Sequence, residues 1–311
     1  MTIVSKVNSS LWQISLPFQD EEEVIGSYLF SGKNELVLVD PGPGSTAQAL
    51  LGAIREAGFE PRNVTSILLT HIHLDHAGAT GTLLHSMPEA NVVVHSKGAP
   101  HLIDPSKLVT SARRIYGERM DELWGEIEAV PQDRIQVVEG GEVLNVADHR
   151  LEVHYTPGHA THHVVFFDVH SGELFAGDTA GVCLPRIEYV RPPTPPPDLD
   201  IEAWSHSIDL LKRLRPDVLY IAHFGPNRNP TQVLEALRAN LFSWGDLILN
   251  AMSDGKDEAE IIQLLRQHSE PELLRKTSDA HVLQRYELAA NYQMSVQGYM
   301  RYWRKSYPTR F

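Results

Sequence analysis

Thr70-His71-Ile72-His73-Leu74-Asp75-His76-Ala77-Gly78 places four side chains able to ligate a metal within six positions. The stretch follows the apolar run 64–69, which predicts a short buried strand. His71 and His73 are two residues apart, so an extended backbone points both rings the same way. Asp75 and His76 then fall where the chain turns into the next helix. One ion takes four ligands poorly from so tight a segment, whereas two adjacent ions can share them. A lone histidine is more often a surface or hydrogen-bonded core residue than a ligand, but a His-x-His-x-Asp-His run points to a metal site.

Working outward, three further candidates stand where apolar strands are expected to end. His159 follows 150–155, Asp178 follows 173–177, and His223 follows 218–222. Loops at strand ends collect functional groups, and a rigid sheet can hold such groups in fixed geometry. The chain has 16 histidines and a single cysteine, Cys183. An internal disulfide is therefore excluded, and metal chemistry becomes the first class to consider. His162 and His163 are expected to support the site rather than ligate. Cys183 reads as a small buried hydrophobe, and His206 as a helix-surface residue.

The surroundings read as a layered α/β protein. Strands are expected over 24–30, 35–39, 64–69 and 91–95. Residues 40–44 (Asp-Pro-Gly-Pro-Gly) break the chain before a helix. Ser45 with Gln48 has the pattern of a capping box, Leu50, Ile54 and Ala57 repeat at helical spacing, and Gly58 stops the run. Residues 97–130 are helical in composition but weakly patterned. Strands return at 135–138, 142–146, 150–155, 163–168 and 173–177. Residues 191–197 (Arg-Pro-Pro-Thr-Pro-Pro-Pro) exclude helix and central strand, leaving a stiff surface connection or a pocket-lining loop. A helix is expected over 201–215 and a last strand over 218–222.

Past Pro230 helices are expected over 231–252, 257–268 and 279–305. Ala289, Tyr292, Val296, Tyr299 and Trp303 form an aromatic stripe at packing spacing. The division is thus 1–228 for the catalytic domain and 229–311 for a helical C-terminal subdomain. That subdomain is the candidate surface for a homo-oligomer.

Of 311 residues, 42% are hydrophobic and 22% charged, as in an ordinary globular chain. No apolar run reaches the roughly 18 residues that a membrane span needs, and the first residues lack a secretory apolar core. The formal charge is 27 − 40 = −13. A polyanion binder usually carries a basic footprint, so a small-molecule substrate is expected, with no nucleic acid and no membrane. A cytoplasmic location is the expectation.

With these residues in place the chain resembles the metallo-β-lactamase superfamily, and within it the glyoxalase-II-like hydrolases. The resemblance covers about residues 10–228. It rests on residues 70–78, on Thr156-Pro157-Gly158-His159, Gly177-Asp178 and Ala222-His223, and on Asp40-Pro41-Gly42 as the early Asp-x-Gly. It implies an αββα sandwich with a C-terminal all-helical extension and two divalent metal ions. By that pattern His71, His73 and His159 hold one ion, Asp75, His76 and His223 hold the other, and Asp178 bridges them. The implied reaction is attack of a metal-bridging hydroxide on a small carbonyl substrate, a thioester, ester or lactone, with Asp75 as the catalytic proton carrier. Zinc is the first expectation, and iron and manganese also suit the donor set.

Asp178 stands where one major class of zinc β-lactamases has cysteine, and His73 where flavodiiron reductases have glutamate. Glyoxalase II enzymes usually read Thr-His-His-His-x-Asp-His, against Ile72 in the middle here. The alternatives are a phosphodiesterase of the same superfamily, a mononuclear-iron persulfide dioxygenase, and a binding module that has lost turnover. Arg186, Tyr189 and Arg191, on the segment leaving Asp178, are the candidate substrate contacts.

Overall fold

The computed structural model describes residues 3–309. The first sheet contains β1 (Ile3–Lys6), β2 (Leu11–Phe18), β3 (Glu21–Ser31), β4 (Leu36–Val39), β5 (Val64–Leu68), β6 (Asn91–His95) and β7 (Ile135–Val138), side by side in chain order. Pairing is antiparallel from β1 to β4 and parallel from β4 to β7. The second sheet contains β8 (Val143–Val146), β9 (His149–Tyr155), β10 (Val164–Asp168), β11 (Glu173–Gly177), β12 (Val218–Ile221) and β13 (Gly225–Asn227), again in chain order. Among the described residues of this sheet only β11 and β12 pair in parallel. Their crossover carries the helix Ile201–Leu214.

The strands read as near-continuous apolar runs because both faces are covered. In β3, Tyr28 and Phe30 face the second sheet while Ile25 and Leu29 face the outer helices. In β12, Val218 and Tyr220 point inward, and Leu219 and Ile221 point out. The inter-sheet core is aromatic at its centre, with Tyr28 5.1 Å from Tyr220 and Phe30 stacked 5.6 Å from Phe175. Helix Ala47–Glu56 covers the first sheet through Leu50, Leu51 and Ile54. Helix Ile201–Leu214 covers the second through Trp204, Ile208 and Leu211. The result is the αββα sandwich.

The C-terminal helices Pro230–Ser253, Glu258–Lys276 and Tyr292–Ser306 build onto the second sheet's helical layer, and Val282–Ala289 packs against β3 of the first sheet. Tyr292, Val296, Tyr299 and Trp303 bury against Trp244, Leu241 and Ile201 in one cluster. Each such side chain contributes about 1.5–3 kcal/mol on burial.

Three local expectations give way to packing. Ser45 caps no helix, because its hydroxyl donates to the Leu123 carbonyl at 2.7 Å, and a short 3-10 turn, Gly44–Thr46, precedes the helix instead. The helix expected over 257–268 continues through Pro271 to Lys276, which carries Leu273 into a buried cluster with Val282 and Tyr286. The helix expected over 279–305 is broken, because Asn291 accepts from the Met294 amide and starts a new helix.

Candidate metal centre

All seven candidate ligands converge on one edge of the sandwich. Asp40 follows β4, residues 70–76 follow β5, His159 follows β9, Asp178 follows β11 and His223 follows β12. Ligand sites in open α/β sheets lie beyond the carboxyl ends of strands, where side chains from separate strands meet.

Three overlapping groups of donor atoms form there, one of His71, His73 and His159, one of Asp75, His76 and His223, and one of His71, His76 and Asp178 that joins the other two. In the first, His73 Nδ1 lies 3.0 Å from His71 Nε2 and 2.9 Å from His159 Nε2. His71 and His159 Nε2 are 3.3 Å apart. In the second, His223 Nε2 lies 3.3 Å from Asp75 Oδ2, and His76 Nε2 4.0 Å from the same oxygen. Asp178 stands between them, with Oδ2 3.3 Å from His159 Nε2 and Oδ1 3.3 Å from His76 Nε2. Tetrahedral ligands about 2.0–2.1 Å from a zinc ion lie roughly 3.3 Å from one another, so this spacing suits such an ion.

The hydrogen bonds behind the rings fix which nitrogen faces inward. His159 Nδ1 donates to the Pro193 carbonyl at 2.7 Å, and His223 Nδ1 to the Val24 carbonyl at 2.7 Å. His76 Nδ1 donates to Asp40 Oδ2 at 2.9 Å. The Thr70 hydroxyl donates to Asp40 Oδ2 at 2.6 Å, so it accepts from His71 Nδ1 at 3.2 Å. Each Nε2 therefore faces the cluster, where its lone pair is available to an ion that displaces any proton on it, the arrangement that backs metal-binding histidines. Three buried atoms of the cluster, His76 Nε2, His223 Nε2 and Asp178 Oδ1, have no hydrogen-bond partner among the described residues. A buried polar atom without a partner is costly, and these three converge where a cation would satisfy them.

Burial holds the imidazoles of His71 and His159 below the ordinary histidine range and lowers His73 to about 4. Burial also opposes charge on His76 and His223, but the carboxylates around them outweigh it and pull both upward. For Asp178, burial resists ionisation, and His76, His223 and His159 overcome it to hold the carboxyl well below its usual range.

His163 supports Asp178, since its Nε2 accepts from the Asp178 amide at 3.1 Å. Its Nδ1 lies 3.0 Å from the hydroxyls of both Thr156 and Thr179. His162 lies on the cleft wall, its ring 5.7 Å from that of His73. Cys183 is buried away from the cleft, its thiol pushed up to about 11 by burial. His206 is exposed on its helix.

His73 and Asp75 are the partly exposed members of the set and form the floor of a cleft of about 560 Å³. The short helices Ala99–Ile103, Ser106–Tyr116 and Met120–Trp124 form one wall, and Pro193–Pro197 with residues 287–295 form the other. The proline-rich stretch is thus a pocket-lining loop. Arg186, Tyr189 and Arg191 do not line this cleft. Arg186 is exposed elsewhere, and Tyr189 is buried against Tyr286. Arg191 is fully buried behind the cleft wall, bonded to Tyr292 Oη at 2.8 Å and to the Ala290 carbonyl at 3.0 Å. The cleft-facing stripe Leu108, Ala112, Ile115 and Tyr116 escaped the sequence reading, although its spacing of four, three and one is helical.

Among the described residues no helix is long and apolar enough to cross a membrane. Residues 23–223 match the metallo-beta-lactamase superfamily. The metallo-beta-lactamase fold-containing protein ST1585 of Sulfurisphaera tokodaii is 31% identical over 207 residues, 65% of this chain and 74% of that protein. The hydroxyacylglutathione hydrolase of Enterobacter sp. (strain 638) is 31% identical over 167 residues, 53% of this chain but only 50% of that enzyme. A crystal structure of the metallo-beta-lactamase family protein TTHA1429 from Thermus thermophilus superposes with a TM-score of 0.69 at 25% identity, covering 97% of this chain and 95% of that one. The matched span contains every donor from His71 to His223, and the chain belongs to the metallo-beta-lactamase superfamily, as a hydrolase with clustered histidine and aspartate metal-binding groups.

Proposed function

We propose that this chain is a binuclear metal-dependent hydrolase acting on a small carbonyl substrate, a thioester before an ester or a lactone. His71, His73 and His159 would hold one divalent ion, Asp75, His76 and His223 the other, and Asp178 both. Zinc is the metal we favour. The observation that carries the reading is the single Asp178 carboxylate facing His159 with one oxygen and His76 with the other, each at 3.3 Å. Bound divalent ions supply Lewis acidity and lower the pKa of a coordinated water toward neutrality.

The chain's own residues supply orientation and proton handling. Backbone carbonyls of Pro193 and Val24 and the Asp40 carboxylate lock three imidazoles with Nε2 inward. The Asp75 carboxylate, with 22% of its side chain exposed to the cleft, is the group that orients the nucleophile and passes a proton to the leaving group. The similarity to a hydroxyacylglutathione hydrolase favours a thioester, the bond formed by an acyl group on a glutathione sulfur. The formal charge of −13 weighs against a nucleic-acid substrate.

The test is metal analysis of protein purified without chelator, followed by a panel of thioesters, lactones and bis-p-nitrophenyl phosphate. Two zinc ions per chain with thioester turnover is the expected result, and Asp75→Asn should then lose turnover while keeping metal. Preferred cleavage of the phosphodiester would replace the reading with a phosphodiesterase. One iron per chain with oxygen uptake on glutathione persulfide would replace it with a dioxygenase.

A further inference from the structure

Pro17 has no amide proton to give a neighbouring strand, and the pairing of β2 with β3 is interrupted there. Leu16 pairs with Ile25 and Phe18 with Glu21, so residues 22–24 stand opposite Pro17 alone. A bulge of this kind bends a strand and re-aims its groups, and bulges collect beside active sites. Here it ends at Val24, whose carbonyl accepts from His223 Nδ1 at 2.7 Å. Beside it the Gly26 amide donates to the Ala222 carbonyl at 2.7 Å. Gly26 permits this approach, since a β-carbon there would stand 3.0 Å from the Phe224 ring. Backbone of the first sheet thus orients a candidate ligand that hangs from the second.

The bulge itself needs holding. Glu23 has a φ of 56°, which a residue with a side chain adopts rarely and keeps only where its surroundings fix it. The Ser15 hydroxyl accepts from the Glu23 amide at 2.8 Å, and Arg285 Nη1 donates to Glu23 Oε2 at 3.2 Å. Ser15 belongs to β2, whereas Arg285 is 262 residues away in sequence, on the C-terminal helix Val282–Ala289. Arg285 is held in turn by Asp279, which pairs with its Nη2. The Arg285 side chain is 13% exposed, so solvent screens these pairs less than it screens an open surface pair. On the same side of the helix, His281 Nδ1 lies 3.4 Å from Glu21 Oε1.

Helix Val282–Ala289 also reaches the other partner of the His223–Val24 bond. Val282 and Tyr286 are buried in one cluster with Phe224, the residue after His223. Tyr286 Oη donates to the Tyr189 carbonyl at 2.7 Å, which fixes the helix against the loop that follows Asp178. The helix therefore grips the carbonyl side of the bond through Glu23 and the ring side through Phe224. Little freedom is left to His223, whose Nε2 lies 3.3 Å from Asp75 Oδ2 and 3.5 Å from Asp178 Oδ1. A metal site tolerates displacements of only about 0.5 Å in its donors, so what holds the ring matters to the site.

We propose that Arg285 is a positioning residue for His223. It pins the Glu23 bulge, the bulge sets the Val24 carbonyl, and the carbonyl sets the imidazole. The proposal rests on the reading of Asp75, His76 and His223 as one metal group, and it makes a C-terminal helix part of what shapes that group. A contact that only stapled helix to sheet would lower stability without singling out one ring. Tyr286→Phe is the control for that role, because it removes a buried hydrogen bond from the same helix and leaves Arg285 and Glu23 in place.

The test follows the His223 ring in metal-free full-length protein labelled with nitrogen-15 histidine. The Nδ1 proton of His223 is identified by its absence from His223→Gln. Arg285→Ala should speed exchange of that proton with water by about tenfold or more, since exchange waits on opening of the bond that protects it. Glu23→Gln should act alike, and the double variant should do no more than either single one, because both remove one contact. Tyr286→Phe should lower Tm and leave the exchange rate within about twofold, as an independent site does. Zinc titration against a chelator supplies the second reading. Arg285→Ala should weaken the Asp75, His76 and His223 group by about tenfold or more and spare the three-histidine group.

Unchanged ring exchange in Arg285→Ala overturns the proposal, whatever metal the protein binds. Equal acceleration in Tyr286→Phe overturns it too, since any loosening of the helix would then suffice. Two ions held by the unaltered chain, with neither weakened by Arg285→Ala, keep the binuclear reading and overturn the proposal. Faster ring exchange in Arg285→Ala, in a chain that binds one ion, keeps the link from Arg285 to His223 and removes the binuclear reading.

Discussion

Gly298 lies so close to Thr194 that a β-carbon on residue 298 would stand 1.8 Å from the Thr194 carbonyl oxygen. This contact seats the helix Tyr292–Ser306 on the loop whose Pro193 carbonyl accepts from His159 Nδ1 at 2.7 Å. Gly298→Ala must push that loop, since the atom it meets is backbone. Overpacking of this kind costs about 1–3 kcal/mol. It should also weaken metal binding at His71, His73 and His159 by about tenfold or more, as losing a ligand's supporting partner does. Chelator competition reads the second effect, and unfolding of the metal-free protein reads the first. A lower Tm with unchanged metal affinity would show that the helix does not bear on His159.

Asp40 accepts from the Thr70 amide at 2.8 Å and the Thr70 hydroxyl at 2.6 Å as well as from His76. Its φ of 48° is one that asparagine tolerates better than most residues. Asp40→Asn should therefore keep the turn and lose the anion that orients His76. Metal affinity of the group Asp75, His76 and His223 should fall by about 10–100-fold, with the three-histidine group less affected. Equal losses in both groups, measured by stepwise zinc titration, would rule out this local role.

How much of this site was readable from the chain follows from where its residues stand. His159, Asp178 and His223 each follow an apolar run, so strand ends marked them before any geometry was known. Arg191 misled because closeness in sequence to Asp178 does not say which way a side chain leaves the loop. Its partners, Tyr286 and Tyr292, are about a hundred residues away. The break near Asn291 was hidden by the continuous stripe from Ala289 to Trp303, although asparagine is itself a helix-starting residue. That break turns residues 287–295 toward the cleft, so the same oversight concealed one of its walls.

The two donor groups should load metal with different pH dependence. Burial keeps His71, His73 and His159 neutral, with His73 at about 4, so a metal displaces no proton from them near pH 7. His76 and His223 are raised by the neighbouring carboxylates despite their burial, so in the metal-free protein they hold protons that an ion must displace. Each displaced proton makes the apparent affinity fall about tenfold per pH unit as pH drops below the raised pKa. Lowering pH should therefore empty the Asp75, His76 and His223 group first. Calorimetric zinc titration in buffers of different ionisation enthalpy counts the protons released at each step. Equal proton release at both steps would contradict the assignment.

Arg191 is the final case, because a fully buried guanidinium here serves architecture rather than substrate. It lies 4.1 Å from the Tyr292 ring centroid and 5.0 Å from that of Tyr286, and it bonds to Glu287, Ala290 and Tyr292. These contacts fasten residues 287–292, part of the cleft wall, to the loop that follows Asp178. A lysine offers a point charge and cannot reach this set of acceptors with one planar fork. Removing one partner of a buried charged network costs about 3–5 kcal/mol. Arg191→Lys should lose part of that and Arg191→Ala most of it, although Glu287 keeps its bond to Arg266. Hydrogen exchange should rise first in residues 287–295, and KM should rise with it while metal stoichiometry stays unchanged. If Arg191→Ala instead left stability and exchange unchanged but abolished turnover, the residue would belong to the substrate site after all.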